Sequence, residues 1–194
     1  AALDRLVASR NGSLLKGIRH QVHDESDPDW LRRNDVMQAF SEIDRRGLAY
    51  DLLIRSREIP AALEVVQAFP TLRFVVDHMA KPAVASDGMA PWMQAMEGFT
   101  DHQDHVWCKV SGLVTEDDWE SRDDDRLVPY IETVLSIFGS QRVMYGSDWP
   151  VCLLAGSYCR TLSMLRAVIA HLPEEAQLSV LRQNAIDAYR LVVA

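Results

Sequence analysis

The sequence predicts an α/β fold built on a parallel sheet. Strand-like apolar runs alternate with helical segments five times, and the strand onsets recur about every 25 to 40 residues, the spacing of a βα unit. The runs are largely apolar yet end in small, polar or titratable residues. A parallel strand has this pattern when both its faces are covered and only its tip meets solvent. Right-handed crossovers between such strands lead to two main architectures, the doubly wound sheet and the eight-stranded barrel, and both bind ligands at the C-terminal strand ends. No G-x-G-x-x-G or G-x-x-x-x-G-K-[ST] sequence occurs, so nucleotide-binding versions of the open sheet lose support.

Leu3 to Ser9 has the pattern of a helix end stopped by Asn11 and Gly12, so the chain is expected to begin inside an element. Lys16 to Val22 is the first predicted strand, with Arg19, His20, Gln21 and His23 near its tip and the acidic, turn-rich loop DESDPDW after it. From Asn34, a plausible N-cap, Val36, Met37, Phe40 and Ile43 fall at helical spacing, and Gly47 ends the helix. Leu48 to Ile54 is the second strand, apolar except for Asp51. Pro60 opens a helix over Ala61 to Phe69, and Pro70 ends it.

The third strand, Arg73 to His78, finishes in Asp77 and His78, with Lys81 and Pro82 following. A helix around Trp92 to Phe99 leads to the fourth strand, Val106 to Leu113. The acidic run Asp123 to Asp125 reads as a solvated face. Leu127, Val128, Ile131, Val134, Leu135 and Phe138 then mark a helix closed by Gly139. In Arg142 to Pro150, Val143, Met144 and Tyr145 form the fifth strand, Gly146, Ser147 and Asp148 its polar tip, and Trp149 and Pro150 its stop. Two helices follow, Tyr158 to His171 and Glu174 to about Leu191, separated by Pro173.

A chain of 194 residues suffices for one domain with a substantial core. Its net charge of -8, with no clustered basic face, argues against nucleic acid or an anionic membrane as the main partner. Cys108, Cys152 and Cys159 form no CxxC pair, which suggests reduced thiols and a cytoplasmic setting. No apolar run approaches the ~20 residues that span a bilayer, and the first residues do not resemble a signal peptide.

The strand tips carry GIRH at Gly17 to His20, YDLL at Tyr50 to Leu53, DHMAKP at Asp77 to Pro82, CKVSGL at Cys108 to Leu113 and YGSDWPV at Tyr145 to Val151. With these motifs in this order, the chain resembles the lactonase-like branch of the amidohydrolase superfamily, nearest the sugar lactonases of the L-fuconolactonase type. The resemblance implies a (β/α)8 TIM barrel, which takes about 250 residues and eight βα units. Residues 1–194 match its last five units as a single incomplete barrel domain. The first three units, and the HxH motif that the family carries at its first strand, are missing, as expected of a fragment.

Lactone hydrolysis needs an activated water, a group that polarises the carbonyl and a proton donor for the departing alkoxide. The resemblance implies that Asp148 is the base; the alternative is a carboxylate that caps the next segment. His78 matches the family's histidine on the sixth barrel strand, able to orient water, hold a metal or polarise a carbonyl, against the alternative of a packed, hydrogen-bonded residue. Asp148 and His78 are thus the catalytic candidates.

Arg19 and His20 correspond to a substrate-contacting pair, against a solvated strand end. Lys109 either contacts substrate or pairs with a carboxylate inside the barrel, and Trp149 either walls the pocket or belongs to the core. Asp77 could simply hold the loop or His78. His23, His102, His105 and His171 receive no role.

Many amidohydrolases bind zinc through the HxH pair, a His on the fifth strand, a His on the sixth and the last-strand Asp. Only His78 and Asp148 remain here, and zinc usually takes three protein ligands plus water. The expectation is therefore a metal-independent hydrolase without cofactor, acting on a sugar lactone. One alternative is a zinc-dependent hydrolase or decarboxylase of the same superfamily. Another is a non-catalytic fragment, inert or paired through its exposed strand edges into a homo-oligomer.

Overall fold

The computed structural model describes residues 2–86, 88–102 and 104–193. Its strands are β1 (Gly17–Gln21), β2 (Ala49–Leu53), β3 (Arg73–Val76), β4 (Val106–Val110) and β5 (Val143–Tyr145). Its α-helices are α1 (Ala2–Val7), α2 (Asn34–Arg45), α3 (Ile59–Ala68), α4 (Met89–Met96), α5 (Val128–Phe138), α6 (Tyr158–Ile169), α7 (Glu174–Leu178) and α8 (Asn184–Tyr189). The five strands are parallel and lie in sequential order, β1-β2-β3-β4-β5. A doubly wound sheet reverses direction at a switch point, whereas a barrel adds each strand beside the last. The chain is a partial (β/α) barrel of five consecutive strands.

Each strand sends alternate side chains to opposite faces. One face supplies Tyr50, Leu52, Phe74, Val76, Val106 and Cys108 to the main core, which the helices cover with Phe40, Ile59, Val66, Trp92, Ile131 and Phe138. In α2 the buried positions are Val36, Phe40 and Ile43, the helical period expected of an amphipathic segment. The helix begins at Asn34 with Arg33 in the capping position, so Asn34 is its first residue and not its cap. Gly47, at φ 65°, turns the chain back into β2.

The opposite face is the concave side of the partial barrel. Register places Arg19 beside Asp51, Asp51 beside Val75, Val75 beside Trp107 and Lys109 beside Met144. Val75, Trp107 and Met144 form a small second cluster with Ala188. The last helical stretch, expected as one helix, contains a π-helical turn at Ser179–Gln183 between α7 and α8. Next to it, buried Asn184 donates to the carbonyls of Ser140 at 2.8 Å and Val143 at 2.6 Å. The turn and this anchor bring α8 onto the concave side, where Arg73 Nε donates to the Ala188 carbonyl at 2.7 Å.

Two strands are shorter than their apolar runs. β3 stops at Val76 and β4 at Val110, and the remaining residues of each run form the loops of the candidate site. Asp124 is not simply solvated, since it accepts a hydrogen bond from Arg160 Nε at 2.8 Å. Among the described residues the cysteines are free, with Cys108 and Cys152 buried, and no helix is long and apolar enough to cross a membrane.

Asn184→Ala would leave two backbone carbonyls without their donor. It is expected to lower the unfolding free energy by about 1–3 kcal/mol in urea titrations.

Candidate active site

The C-terminal ends of β3, β4 and β5 converge. After Val76 the chain enters a tight turn, in which His78, Met79, Ala80 and Lys81 take φ values of 52°, 53°, 54° and 45°. Four successive non-glycine residues in the left-handed region cost roughly 1–2 kcal/mol each, so surrounding contacts must hold them. Met79 and Ala80 are fully buried, and Trp92 Nε1 donates to the Met79 carbonyl at 2.7 Å. The turn projects the His78 side chain from the strand tip.

His78 meets a residue from each neighbouring tip. Its Nδ1 lies 2.7 Å from Ser111 Oγ, and its Nε2 lies 3.7 Å from Asp148 Oδ1. The side chains of His78 and Asp148 are 14% and 16% exposed, so the pair sits in a recess that still opens to solvent. Two glycines make this approach sterically feasible. A Cβ on Gly112, at φ 64°, would stand 2.9 Å from the His78 ring, and one on Gly146 would stand 3.0 Å from Ser111 Cβ. Asp148 itself is left-handed, at φ 54°.

Burial acts on both members of the pair in the direction that removes charge. It lowers the His78 pKa from its ordinary 6.5, against the attraction of the Asp77 and Asp148 carboxylates and with the help of Lys81 and Lys109. It raises that of Asp148 above 3.8, opposed by His78, Lys81 and Arg19 and reinforced by Asp77. The outcome is a neutral imidazole beside a carboxylate more basic than one in water.

A charged network lies behind this pair, on the concave face. Lys109 Nζ is 2.7 Å from Asp77 Oδ1 and 2.8 Å from Asp51 Oδ2. Arg19 Nη1 donates to the other Asp77 oxygen at 3.1 Å, and Tyr189 of α8 donates its hydroxyl to Asp51 at 2.7 Å. The Tyr189 ring also faces the Lys109 ammonium, 5.2 Å from its centroid. Burial alone would lower the Lys109 pKa, but Asp51 and Asp77 outweigh it and raise it. At the rim, Lys81 pairs with Glu116, and Arg55 approaches the same carboxylate at 3.9 Å.

Of the residues expected from the sequence, His78 and Asp148 stand together, and Lys109 and Arg19 reach them through Asp77. Lys109 makes the buried carboxylate pairing, with Asp51 and Asp77 both holding its ammonium. His20 does not join the group. It follows Arg19 on β1 and so points to the opposite face, where it stacks on Trp30 with ring centroids 4.3 Å apart and meets Glu25 at 2.7 Å. Trp149 is 65% exposed beyond Asp148 and is not a core residue. Ser111, Tyr189, Trp92 and Glu116 were given no role from sequence. For Ser111 a signal exists, a Ser-Gly pair directly after an apolar strand, whereas nothing local marks Tyr189.

A zinc ion would need donors that are not already engaged. Lys109 and Arg19 occupy the carboxylates of Asp51 and Asp77, and Ser111 occupies His78 Nδ1. Among the described residues no cluster of three or more His, Cys, Asp or Glu has a metal-holding arrangement. His78 Nε2 and Asp148 are two donors where a catalytic zinc takes three, so these residues do not fit the ion on their own.

The sequential parallel sheet with its titratable tips defines a barrel of the amidohydrolase type. The amidohydrolase family model matches residues 1–191, and the chain belongs to that family. It is 39% identical over 144 residues to an L-fucono-1,5-lactonase from Burkholderia ambifaria, covering 74% of this chain and 49% of the relative. To an L-fucono-1,5-lactonase from Burkholderia multivorans it is 35% identical over 169 residues, 82% of this chain and 57% of the relative. The chain thus spans about half the length of these curated relatives. A crystal structure of an amidohydrolase from Burkholderia multivorans with bound zinc superposes at a TM-score of 0.92 and 32% identity, over 98% of this chain and 69% of that one.

Removing the Lys109 ammonium would leave the buried Asp77 and the largely buried Asp51 carboxylates without their shared cation. Lys109→Ala is expected to cost about 3–5 kcal/mol of stability by chemical denaturation. Adding Asp51→Asn and Asp77→Asn should restore much of the loss, because the uncompensated charge is then gone.

Proposed function

We propose that this chain carries the hydrolytic strand tips of a sugar lactonase. The observation that carries this reading is the placement of His78 Nε2 3.7 Å from the Asp148 carboxylate, in a chain 39% and 35% identical to two L-fucono-1,5-lactonases over the matched residues. Asp148 accepts a proton from a water molecule as its oxygen attacks the lactone carbonyl carbon. His78 donates a hydrogen bond to the carbonyl oxygen as negative charge builds there. Collapse of the tetrahedral adduct breaks the ring C–O bond, and the proton held by Asp148 passes to the departing alkoxide, giving the hydroxy acid. Arg19 is tied to Asp77 through one nitrogen and half exposed, so its other donors are free for ring hydroxyls or the product carboxylate. The exposed indole of Trp149 forms a wall next to Asp148.

We take the reaction to be metal-independent, since a carboxylate raised in basicity by burial can activate water directly. A zinc-dependent route is favoured by the zinc bound in the Burkholderia multivorans structure. Chelation separates the two: turnover that survives EDTA treatment supports the first, and loss restored by zinc supports the second. The free thiols suit a reducing, cytoplasmic setting. β1 and β5 are the edge strands of the sheet, and sedimentation would show whether two copies pair through them.

The primary test is a panel of aldonolactones followed by acid release, with Asp148→Asn as control. The unmodified chain is expected to turn over at least one of them, and the variant about a hundredfold or more slowly. A folded chain without turnover would sink the claim that this polypeptide is itself the enzyme.

The pH dependence has a defined sign. Asp148 must be ionised and His78 neutral, so kcat/KM should rise from acid pH along a limb lying above 3.8, the ordinary Asp value, because burial raises the carboxylate. A limb centred at or below 3.8 would contradict the buried-base reading.

A further inference from the structure

We propose that Ser111 is a positioning residue for His78: its hydroxyl donates to Nδ1 and so holds the imidazole proton on Nε2, facing Asp148. The lactonase reading above uses His78 as a donor at Nε2 without saying what puts the proton there. The neutral ring has two tautomers, and only one of them serves that purpose.

Two independent observations select the same tautomer. Ser111 is 5% exposed, and among the described residues its hydroxyl oxygen has no hydrogen-bond partner except His78 Nδ1, at 2.7 Å. A buried hydroxyl that accepted from Nδ1–H would leave its own proton without an acceptor, at a cost of about 1–3 kcal/mol. If it donates to Nδ1 instead, both groups are satisfied and the proton resides on Nε2. On the other side of the ring, Nε2 looks at the Asp148 carboxylate from 3.7 Å, and negative charge there favours N–H over a lone pair.

The slot around Ser111 is constructed to hold this contact. Gly146 leaves the room that Ser111 occupies, since a Cβ there would stand 3.2 Å from Ser111 Oγ and 3.0 Å from its Cβ. Gly112 lets the ring lie against the backbone that follows Ser111, where a Cβ would be 2.9 Å from both Cγ and Nδ1 of His78. The S-G of CKVSGL and the G of YGSDWP are therefore two walls of one imidazole holder, contributed by adjacent strands.

The test is 15N NMR of histidine-labelled chain at neutral pH, with the His78 signals assigned by their loss in His78→Asn. The unmodified chain is expected to show a pyrrole-type Nε2 and a hydrogen-bonded, pyridine-type Nδ1. Ser111→Ala should move Nδ1 to the position of a free pyridine-type nitrogen. Asp148→Asn alone should keep the Nε2–H tautomer, and Asp148→Asn combined with Ser111→Ala should give a mixture, since both biases are then removed. A pyrrole-type Nδ1 in the unmodified chain would overturn the proposal, as would an Nδ1 signal that Ser111→Ala leaves unchanged.

These readouts need no turnover, so an inactive chain with the expected tautomer overturns the lactonase reading and leaves this one standing. In an active chain, which is where the catalytic consequence rests on that reading, Ser111→Ala should lower kcat about tenfold with KM nearly unchanged. An unaltered kcat would remove Ser111 from catalysis.

Discussion

The structure depends most on the ammonium of Lys109 lying between the carboxylates of Asp51 and Asp77. Lys109 and Asp51 come from β4 and β2 and Asp77 directly follows β3, and Arg19 of β1 and Tyr189 of α8 attach to the same carboxylates. One half-buried cation thus links four strands and the last helix on the concave face. Without it the two carboxylates would repel each other, each left with a single side-chain donor, Arg19 on Asp77 and Tyr189 on Asp51. A hydrophobic replacement of all the charges could be as stable. What the charged version adds is fixed position: Asp77 is the last residue before the left-handed turn, so anchoring it also anchors where that turn starts.

The turn is the costly part of the site. A histidine continuing the regular strand would stand perpendicular to the sheet on the helix-covered side, as Phe74 and Val76 do, whereas four residues at positive φ bring it toward Ser111 and Asp148. That conformation persists because Met79 and Ala80 are buried, Trp92 holds the Met79 carbonyl and Lys81 is fixed by Glu116. Strain of this kind, held in place by surrounding contacts, orients a group before any ligand arrives. The energy comes from the main core beneath, which is why the site sits on strand tips and not on a free loop.

Much of the architecture was legible in the sequence for a simple physical reason. Strands covered on both faces must be apolar throughout, so Leu48 to Ile54, Arg73 to Val76 and Val106 to Val110 stand out, and their polar endings mark the functional rim. Asp51 and Lys109 could be noticed as charges inside apolar strands, but pairing them required the register that sets β2, β3 and β4 side by side. Arg19 and His20 are neighbours in sequence, and on a strand such neighbours face opposite sides, so Arg19 meets Asp77 while His20 meets Trp30 and Glu25. The stop of β3 at Val76 was hidden because left-handed geometry in non-glycine residues is dictated by tertiary contacts such as that of Trp92, and Tyr189 is 138 residues from Asp51.

Desolvation then accounts for the charge state that the proposed base and donor roles require. In water, a His and an Asp a few ångströms apart would favour the charged pair at neutral pH. Here burial opposes the imidazolium, and Lys81 and Lys109 add to that opposition, so the proton stays off the ring. The same burial raises the carboxylate, yet the cations of Lys81 and Arg19 limit the rise, so Asp148 remains able to ionise. Both side chains stay partly exposed, at 14% and 16%, so a water and a carbonyl can approach the pair from the solvent side of the recess. Lys109, which holds the strands together, therefore also helps to keep His78 neutral, which joins the fold's main internal constraint to the charge state that the proposed chemistry requires.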